Sequence, residues 1–364
     1  MRIATTIDDF DAADLDALTG DCLFGSQFLS FVELEHRERA EILYFYEERD
    51  GRLEAFAPAY VYRDDVPLTF RLGDFVGDAA SRDGVRAMRS HLVVGVPIRL
   101  RSRIFATDDE GIRNLTRDIV GWARDEGLSA VVLPFVLGSD ASLRAHLQDE
   151  GFASAFYEGD FYLPISGATM DEFLQSIPRG PRKRFVNDMN HFTQSRLGMQ
   201  PVTAVASYAD TLADLHKSLM DRYNRPAVEF TRESFVRFER QIRDRHVLVT
   251  TAGDRVVGFS ISIAGSGVMH VLRYGRDDTA EGDARIYANL GYVEPVRWAV
   301  AQGLDRVHFG KAAHRAKTLR GCLYEEGIVY ALCLDSDDQA EVEVAFKQLD
   351  TANRERFAAL CAGS

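Results

Sequence analysis

Val120-Gly-Trp-Ala-Arg-Asp-Glu-Gly127-Leu-Ser-Ala-Val-Val-Leu133 and Val296-Arg-Trp-Ala-Val-Ala-Gln-Gly303-Leu-Asp-Arg-Val-His-Phe309 are two versions of one phrase. They contain the only two tryptophans of the chain, Trp122 and Trp298, each five residues before a glycine and each followed by an apolar stretch. Such a phrase reads as an amphipathic helix closed by a C-cap glycine and followed by a buried strand. A second pair lies upstream. Ile42-Leu-Tyr-Phe-Tyr-Glu-Glu-Arg-Asp50-Gly51-Arg-Leu-Glu-Ala-Phe-Ala matches His246-Val-Leu-Val-Thr-Thr-Ala-Gly253-Asp254-Arg-Val-Val-Gly-Phe-Ser-Ile. Both read as strand, tight Asp/Gly turn and strand, a hairpin. Hairpin, helix and strand, occurring twice in order, predict two similar α/β domains from a duplicated ancestor.

Composition agrees with that size and class. A chain of 364 residues accommodates two ordinary domains, and 46% hydrophobic content supplies real cores. The first residues, Met1-Arg-Ile-Ala-Thr-Thr-Ile-Asp-Asp, show no apolar h-region, and no run approaches the length of a membrane span. Cys22, Cys322, Cys333 and Cys361 lack metal-like spacing, and no His-x-x-x-His pair occurs, so no metal site is expected. These features predict a cytoplasmic protein with reduced cysteines. Neither a Walker loop nor a Gly-x-Ser-x-Gly elbow is present.

The net charge of −13 argues against broad nucleic-acid binding, which needs clustered cations. Yet Arg179, Arg182, Lys183 and Arg184 fall within six positions, and Lys311, Arg315, Lys317 and Arg320 within ten. Two local basic patches in an acidic chain suit one defined anionic ligand. The domain boundary is placed at 159/160, giving an N-terminal domain of 1–159 and a C-terminal domain of 160–364 with a terminal helix. Pro178 and Pro181 are expected to interrupt any helix around Arg179-Gly180. On the strand from Gly267, period-2 alternation puts His270, Leu272 and Tyr274 on one face, with Asp277 at its end.

The order of Gly267-Val-Met-His-Val-Leu-Arg-Tyr-Gly-Arg-Asp277, a helix, Val307-His-Phe-Gly-Lys311 and Lys317-Thr-Leu-Arg-Gly321 resembles the second domain of the FemAB-like acyltransferases. Two local features carry the likeness. Phe309-Gly310 … Ala316-Lys317 is similar to the family's short motif ending in lysine. Ile177-Pro-Arg-Gly-Pro-Arg-Lys-Arg-Phe185 matches the arginine/lysine cluster that opens the family's second domain. The resemblance spans most of residues 20–335. It implies an α/β (α+β) fold of two tandem GNAT-like domains, each a mixed, mostly antiparallel twisted sheet flanked by helices. It also implies transfer of an acyl group from an activated donor to an amine, with no resident cofactor. Fem-type members use aminoacyl-tRNA, and ordinary GNAT enzymes use acyl-CoA.

Residue chemistry separates the donors. A working CoA loop cradles pyrophosphate on backbone N–H groups at a helix N-terminus, typically as Arg/Gln-x-x-Gly-x-Gly/Ala. The equivalent stretch here, Asp277-Asp-Thr279-Ala-Glu-Gly282-Asp-Ala284, has Thr279 in place of the basic residue, among Asp277, Asp278, Glu281 and Asp283. A carboxylate and a phosphate about 4 Å apart repel by roughly 1–4 kcal/mol, according to the effective dielectric. The first-domain counterpart, Thr107-Asp-Asp-Glu-Gly111, is acidic too. The reading is therefore an aminoacyltransferase acting on a small amine or a peptidoglycan-type precursor. Acyl-CoA-dependent transfer is the alternative, and a non-catalytic binding protein on the same scaffold a third. Lys317, His270, Tyr274 and Asp277 are the catalytic candidates: Lys317 for the oxyanion, His270 or Asp277 as base, and Tyr274 as acid. Arg179, Arg182, Lys183, Arg184, Lys311 and Arg320 are the donor-binding candidates, facing the tRNA acceptor end. Arg71, Asp74, Arg222 and Tyr223 are the acceptor-binding candidates. His308 and His314 are read as structural or surface positions.

Overall fold

The computed structural model describes residues 1–63, 90–98, 101–223, 230–277, 279–280 and 285–362. The chain forms two compact units: Met1–Gly159 with Glu325–Leu360, and Asp160–Tyr324.

The first unit runs β1 (Arg2–Ala4), α1 (Ala12–Thr19), α2 (Ser26–His36), β2 (Glu41–Arg49), β3 (Arg52–Arg63), β4 (Ser90–Val94), β5 (Phe105–Ala106), α3 (Asp109–Asp125), β6 (Ala130–Leu137), α4 (Ala141–Asp149) and the start of β7 (Ala153–Pro164). The second runs from the end of β7 through α5 (Met170–Ser176), α6 (Arg179–Gln194), β8 (Leu197–Pro201), α7 (Ala209–Arg222), α8 (Arg232–Gln241), β9 (Arg245–Ala252), β10 (Arg255–Gly265) and β11 (Val268–Arg276). It continues with α9 (Ile286–Ala288), a π-helical turn (Asn289–Val293), α10 (Glu294–Ala301), β12 (Arg306–Gly310) and α11 (His314–Thr318). Then β13 (Leu323–Cys333) and α12 (Ser336–Ala362) follow. Most of β13 and nearly all of α12 lie in the first unit, because β13 pairs antiparallel with β6 from Gly327↔Leu137 to Cys333↔Ala130. The sequence reading kept this segment with the second domain.

Each unit is a mixed, mostly antiparallel sheet flanked by helices. The strand order is β1-β2-β3-β4-β6-β13-β7 in the first and β7-β12-β11-β10-β9-β8 in the second. Among the described residues each holds an internal parallel pair, β4·β6 and β11·β12, three residues long in both. The repeated phrases occupy equivalent places. The hairpins are β2–β3 and β9–β10, turned at Asp50-Gly51 and Gly253 with left-handed φ of 52°, 75° and 60°. The tryptophan helices α3 and α10 end at Gly127 and Gly303, with φ of 67° and 64°. Trp122 packs edge-on against Phe45 of β2 with ring centres 5.1 Å apart, and Trp298 stacks on His246 of β9 at 4.8 Å. In both units the helix tryptophan meets the first hairpin strand, as a duplication requires.

The prolines near residue 180 do not break a helix. α6 runs unbroken from Arg179 to Gln194, with Pro178 as its N-cap and Pro181 in its first turn. First-turn N–H groups have no intrahelical acceptor, so proline costs little there. Phe185 turns inward against Phe173 of α5, with rings 5.9 Å apart, while Arg179, Lys183 and Val186 stay outside.

Candidate active site

In the second unit a β-bulge sorts the candidates onto two faces of the sheet. Along β10·β11, His270 lies opposite Ile263 and Val271 opposite Ser262, but Arg273 lies opposite Ile261 and Tyr274 opposite Ser260. Leu272 is the extra residue, so alternation resets there. Residues directly opposite share a face. His270 therefore sides with Ile261 and Ile263, and Tyr274 sides with Ser260 and Ser262. The expectation that His270 and Tyr274 share one face is corrected by this bulge, which no alternation pattern reveals.

One face carries Lys317. This residue of α11 is 3% exposed, and its Nζ donates to the carbonyls of Gly310 and Lys311, each at 2.6 Å. The ammonium also stands 5.1 Å from the centre of the Phe161 ring. The segment it secures is conformationally demanding: Gly310, Ala312 and Ala313 have φ of 71°, 62° and 50°. Left-handed alanines cost on the order of 1 kcal/mol each, so something must hold them, and Lys317 does. Cys322 packs nearby, and burial pushes its thiol up to about 12 despite the opposing fields of Lys317 and Arg320. The thiol is inert as a nucleophile.

Asp188 is the hub of this face. It sits on the inner side of α6, 1% exposed. Its Oδ1 accepts from Arg285 Nη1 at 2.8 Å and its Oδ2 from Arg320 Nη2 at 2.6 Å. Its backbone carbonyl accepts from Asn289 Nδ2 at 2.9 Å. Arg320 donates again to the Ala316 carbonyl and lies over the Tyr292 ring at 4.4 Å. Arg285 has a left-handed φ of 52° and opens α9, just ahead of the π-turn; such turns recur at functional sites. Three elements thus converge on one carboxylate: α6, the α9 start and the 310–321 loop. Gly321, at φ 80°, seals the junction, since a side chain there would lie 3.1 Å from Pro181 Cγ.

Aromatic rings link β11 to β12 on the same face. Tyr274 meets Tyr287 edge-on at 5.2 Å, the Tyr287 and Tyr292 hydroxyls lie 2.8 Å apart, and Tyr292 meets Phe309 at 5.0 Å. The last β11·β12 pair is His270↔His308, yet β11 runs on to Arg276. Beyond that pair the strands part, and the tyrosines bridge them. Burial raises both the Tyr287 and Tyr292 hydroxyls, which stay neutral.

The opposite face holds His270, His308 and Asp160. Register aligns Tyr162, His308 and His270 across β7, β12 and β11. Their rings stack, with centres 5.4 Å and 4.9 Å apart. His308 Nδ1 lies 2.8 Å from Asp160 Oδ2, both side chains 4% exposed. The carboxylate orients the His308 ring through Nδ1. His308 and His314 are both buried.

Asp277 is placed apart from both groups. Its Oδ1 accepts from the Thr279 N–H at 2.9 Å and the Thr279 hydroxyl at 2.6 Å, and its Oδ2 pairs with Arg255. These contacts, led by Thr279 and then Arg255, hold its carboxyl down at about 2. The rest of the acidic loop, Asp278 and 281–284, lies outside the described residues.

The other candidates divide by environment. Arg182 closes α5 by donating to the Gln175 and Ile177 carbonyls at 3.1 and 3.0 Å. Arg179 and Lys183 are exposed on α6, and Arg184 and Lys311 are half-buried. Arg222 and Tyr223 end α7 in exposed positions, Tyr223 at 61%. Arg71 and Asp74 lie outside the described residues. Asp188, Arg285 and the Asp160–His308 pair were missed from sequence. Asp188 was legible in principle, since it repeats on the inner stripe with Phe185 and Phe192. Asp160–His308 spans 148 positions and needs the strand register.

The profile of the FemAB-like family, described by peptidoglycan biosynthesis/recognition, matches residues 40–360. The chain belongs to the FemAB-like family. No curated protein matches it. Among solved structures it is similar to FemX, at 12% identity and a TM-score of 0.61, covering 92% of this chain and 98% of that one. It is also similar to L-PGS from Bacillus licheniformis, at 13% identity and 0.58, covering 92% and 94%. A third is the C-terminal domain of a putative lysylphosphatidylglycerol synthetase from Agrobacterium fabrum, at 11% and 0.56, covering 94% and 96%. At such identities the likeness is one of fold. Among the described residues, no helix is long and apolar enough to cross a membrane.

Proposed function

We propose that this protein transfers an aminoacyl group from aminoacyl-tRNA to an amine, a small biosynthetic intermediate or a peptidoglycan-type precursor, and that the second unit holds the donor. The observation that carries this reading is Asp277. At the start of the stretch that corresponds to a CoA loop, the Asp277 carboxylate takes the Thr279 N–H and stays ionised at any working pH. An incoming pyrophosphate would lose that donor and meet a fixed negative charge. The cations instead gather on the Lys317 face, where α6 and the 310–321 loop meet. There the exposed Arg179 and Lys183 suit the phosphates of an RNA acceptor end.

In this reading the acceptor ammonium gives a proton to a base and then attacks the ester carbonyl. The C–N bond forms, the C–O bond breaks, and the ribose oxygen leaves with the amine's remaining surplus proton. Fixed positive charge at Lys317 and Arg320 stabilises the developing oxyanion. At about 2, Asp277 is too weak a base. His270 stands on the opposite face of the sheet from Lys317 and Arg320, so the base that takes the first proton in this reading is water. The test is calorimetric titration at low salt with acetyl-CoA and, separately, with pooled aminoacyl-tRNA. Binding of tRNA without CoA is expected, and micromolar CoA binding would overturn the reading in favour of acyl-CoA-dependent transfer. Binding of neither would favour a non-catalytic protein.

A further inference from the structure

Two acid-free stretches of the second unit are rich in cations. Between Glu172 and Asp188 lie Arg179, Arg182, Lys183 and Arg184; between Asp305 and Glu325 lie Arg306, Lys311, Arg315, Lys317 and Arg320. The Gly321–Pro181 contact and the Arg320–Asp188 ion pair bring the two stretches together. The same stretches expose large apolar side chains: Val186 at 37%, Leu319 at 41%, Leu323 at 51% and Tyr324 at 48%. Three of these fall within six residues, beside the exposed Arg315. Val186 shares the outer stripe of α6 with Arg179 and Lys183.

We infer that this part of the second unit docks on an anionic lipid bilayer. Cations alone would suit any polyanion. Exposed leucines beside them gain nothing from RNA but are favourably inserted at a bilayer interface, where tyrosine also settles. The rest of the chain is strongly acidic, since the net charge is −13. An anionic surface therefore attracts this patch against an acidic background and draws the 310–324 segment toward the lipid. The lipid contact falls to Arg315, Leu319, Leu323 and Tyr324, which leaves Arg179 and Lys183 to the donor phosphates of the proposed function.

The experiment is sedimentation of the full chain with phosphatidylcholine vesicles and with vesicles containing one quarter phosphatidylglycerol. Binding to the anionic vesicles only, weakened by salt, is expected. Leu319→Ser/Leu323→Ser should lower the partition coefficient about tenfold, since two half-exposed leucines lose their insertion. Arg315→Gln should lower it about fivefold. Val344→Ser, at an exposed apolar position of the first unit, should leave it unchanged. All these positions are exposed, and unchanged thermal melting confirms folding. No binding to anionic vesicles, equal binding to neutral ones, or equal loss in Val344→Ser would overturn the inference. So would a leucine variant that binds vesicles normally but loses affinity for pooled tRNA, which would make the surface an RNA contact.

Discussion

The two units build the same parallel strand pair and fill it differently. In the first, β4 and β6 meet at His91↔Ala130, Leu92↔Val131 and Val93↔Val132, and β6 is buried along its whole length. In the second, β11 and β12 meet at Val268↔Arg306, Met269↔Val307 and His270↔His308. Around that pair stand a buried Asp–His pair, a bulge, a π-turn, a left-handed loop and a carboxylate holding two arginines. Burying ionisable groups costs stability unless each is paired. The first unit buries His91 at its strand pair, beside the apolar length of β6. The second carries that cost where two strands part, and strain and buried charge gather at working sites.

The sharpest way to break this contrast is Lys317→Met. It removes the donor to two buried carbonyls, costing about 1–3 kcal/mol for each, and should abolish transfer. Denaturant unfolding with an activity assay checks both. A variant that keeps its stability and its turnover would make the second-unit loop as passive as β6. Next comes Asp188→Asn, which leaves the buried Arg320 without its counter-charge. A loss of about 3–5 kcal/mol is expected, and Asp188→Glu should recover part of it.

A pH series sharpens the same contrast. Burial first, and then the field of Arg273, holds His216 down at about 3, and burial holds His246 down at about 4. Unfolded histidine titrates near 6.5. The unfolded chain therefore binds protons that the native fold refuses as pH drops below about 6.5. Stability should be full above that pH and decline as pH falls toward 4 and 3. His246→Phe copies the first unit, where Phe45 meets Trp122, and should flatten part of the slope, as melting from pH 7 to 4 would show. An unchanged slope would mean that His246 charges freely in the fold. The smallest effect is expected from Asp277→Asn, under about 1 kcal/mol because its ion pair is largely solvated. Its informative readout is whether acetyl-CoA then binds measurably better.

The duplication was legible because it lives in local signals: turn glycines, a tryptophan at fixed spacing and alternating strands. The family was legible from motif order. The site was legible only in part. Lys317 and Arg320 were found as charges, but their partners were not, because Gly310 and Asp188 reach them through tertiary folding. His270 and Tyr274 were put on one face because alternation assumes an unbroken strand, and a single extra residue at Leu272 reverses it. Pro181 was read as a breaker because the rule was applied without the helix start that makes it harmless.

The most direct test of the central claim, that the second unit and not the first holds the donor, is filter binding of pooled aminoacyl-tRNA across a salt series. The pair Arg179→Glu/Lys183→Glu should weaken binding at least about tenfold and reduce the salt slope by about one per lost phosphate contact. Arg117→Glu/Arg124→Glu, on the exposed side of α3 in the first unit, should bind like the wild type. Equal loss in both pairs, or none in the α6 pair, would contradict the account.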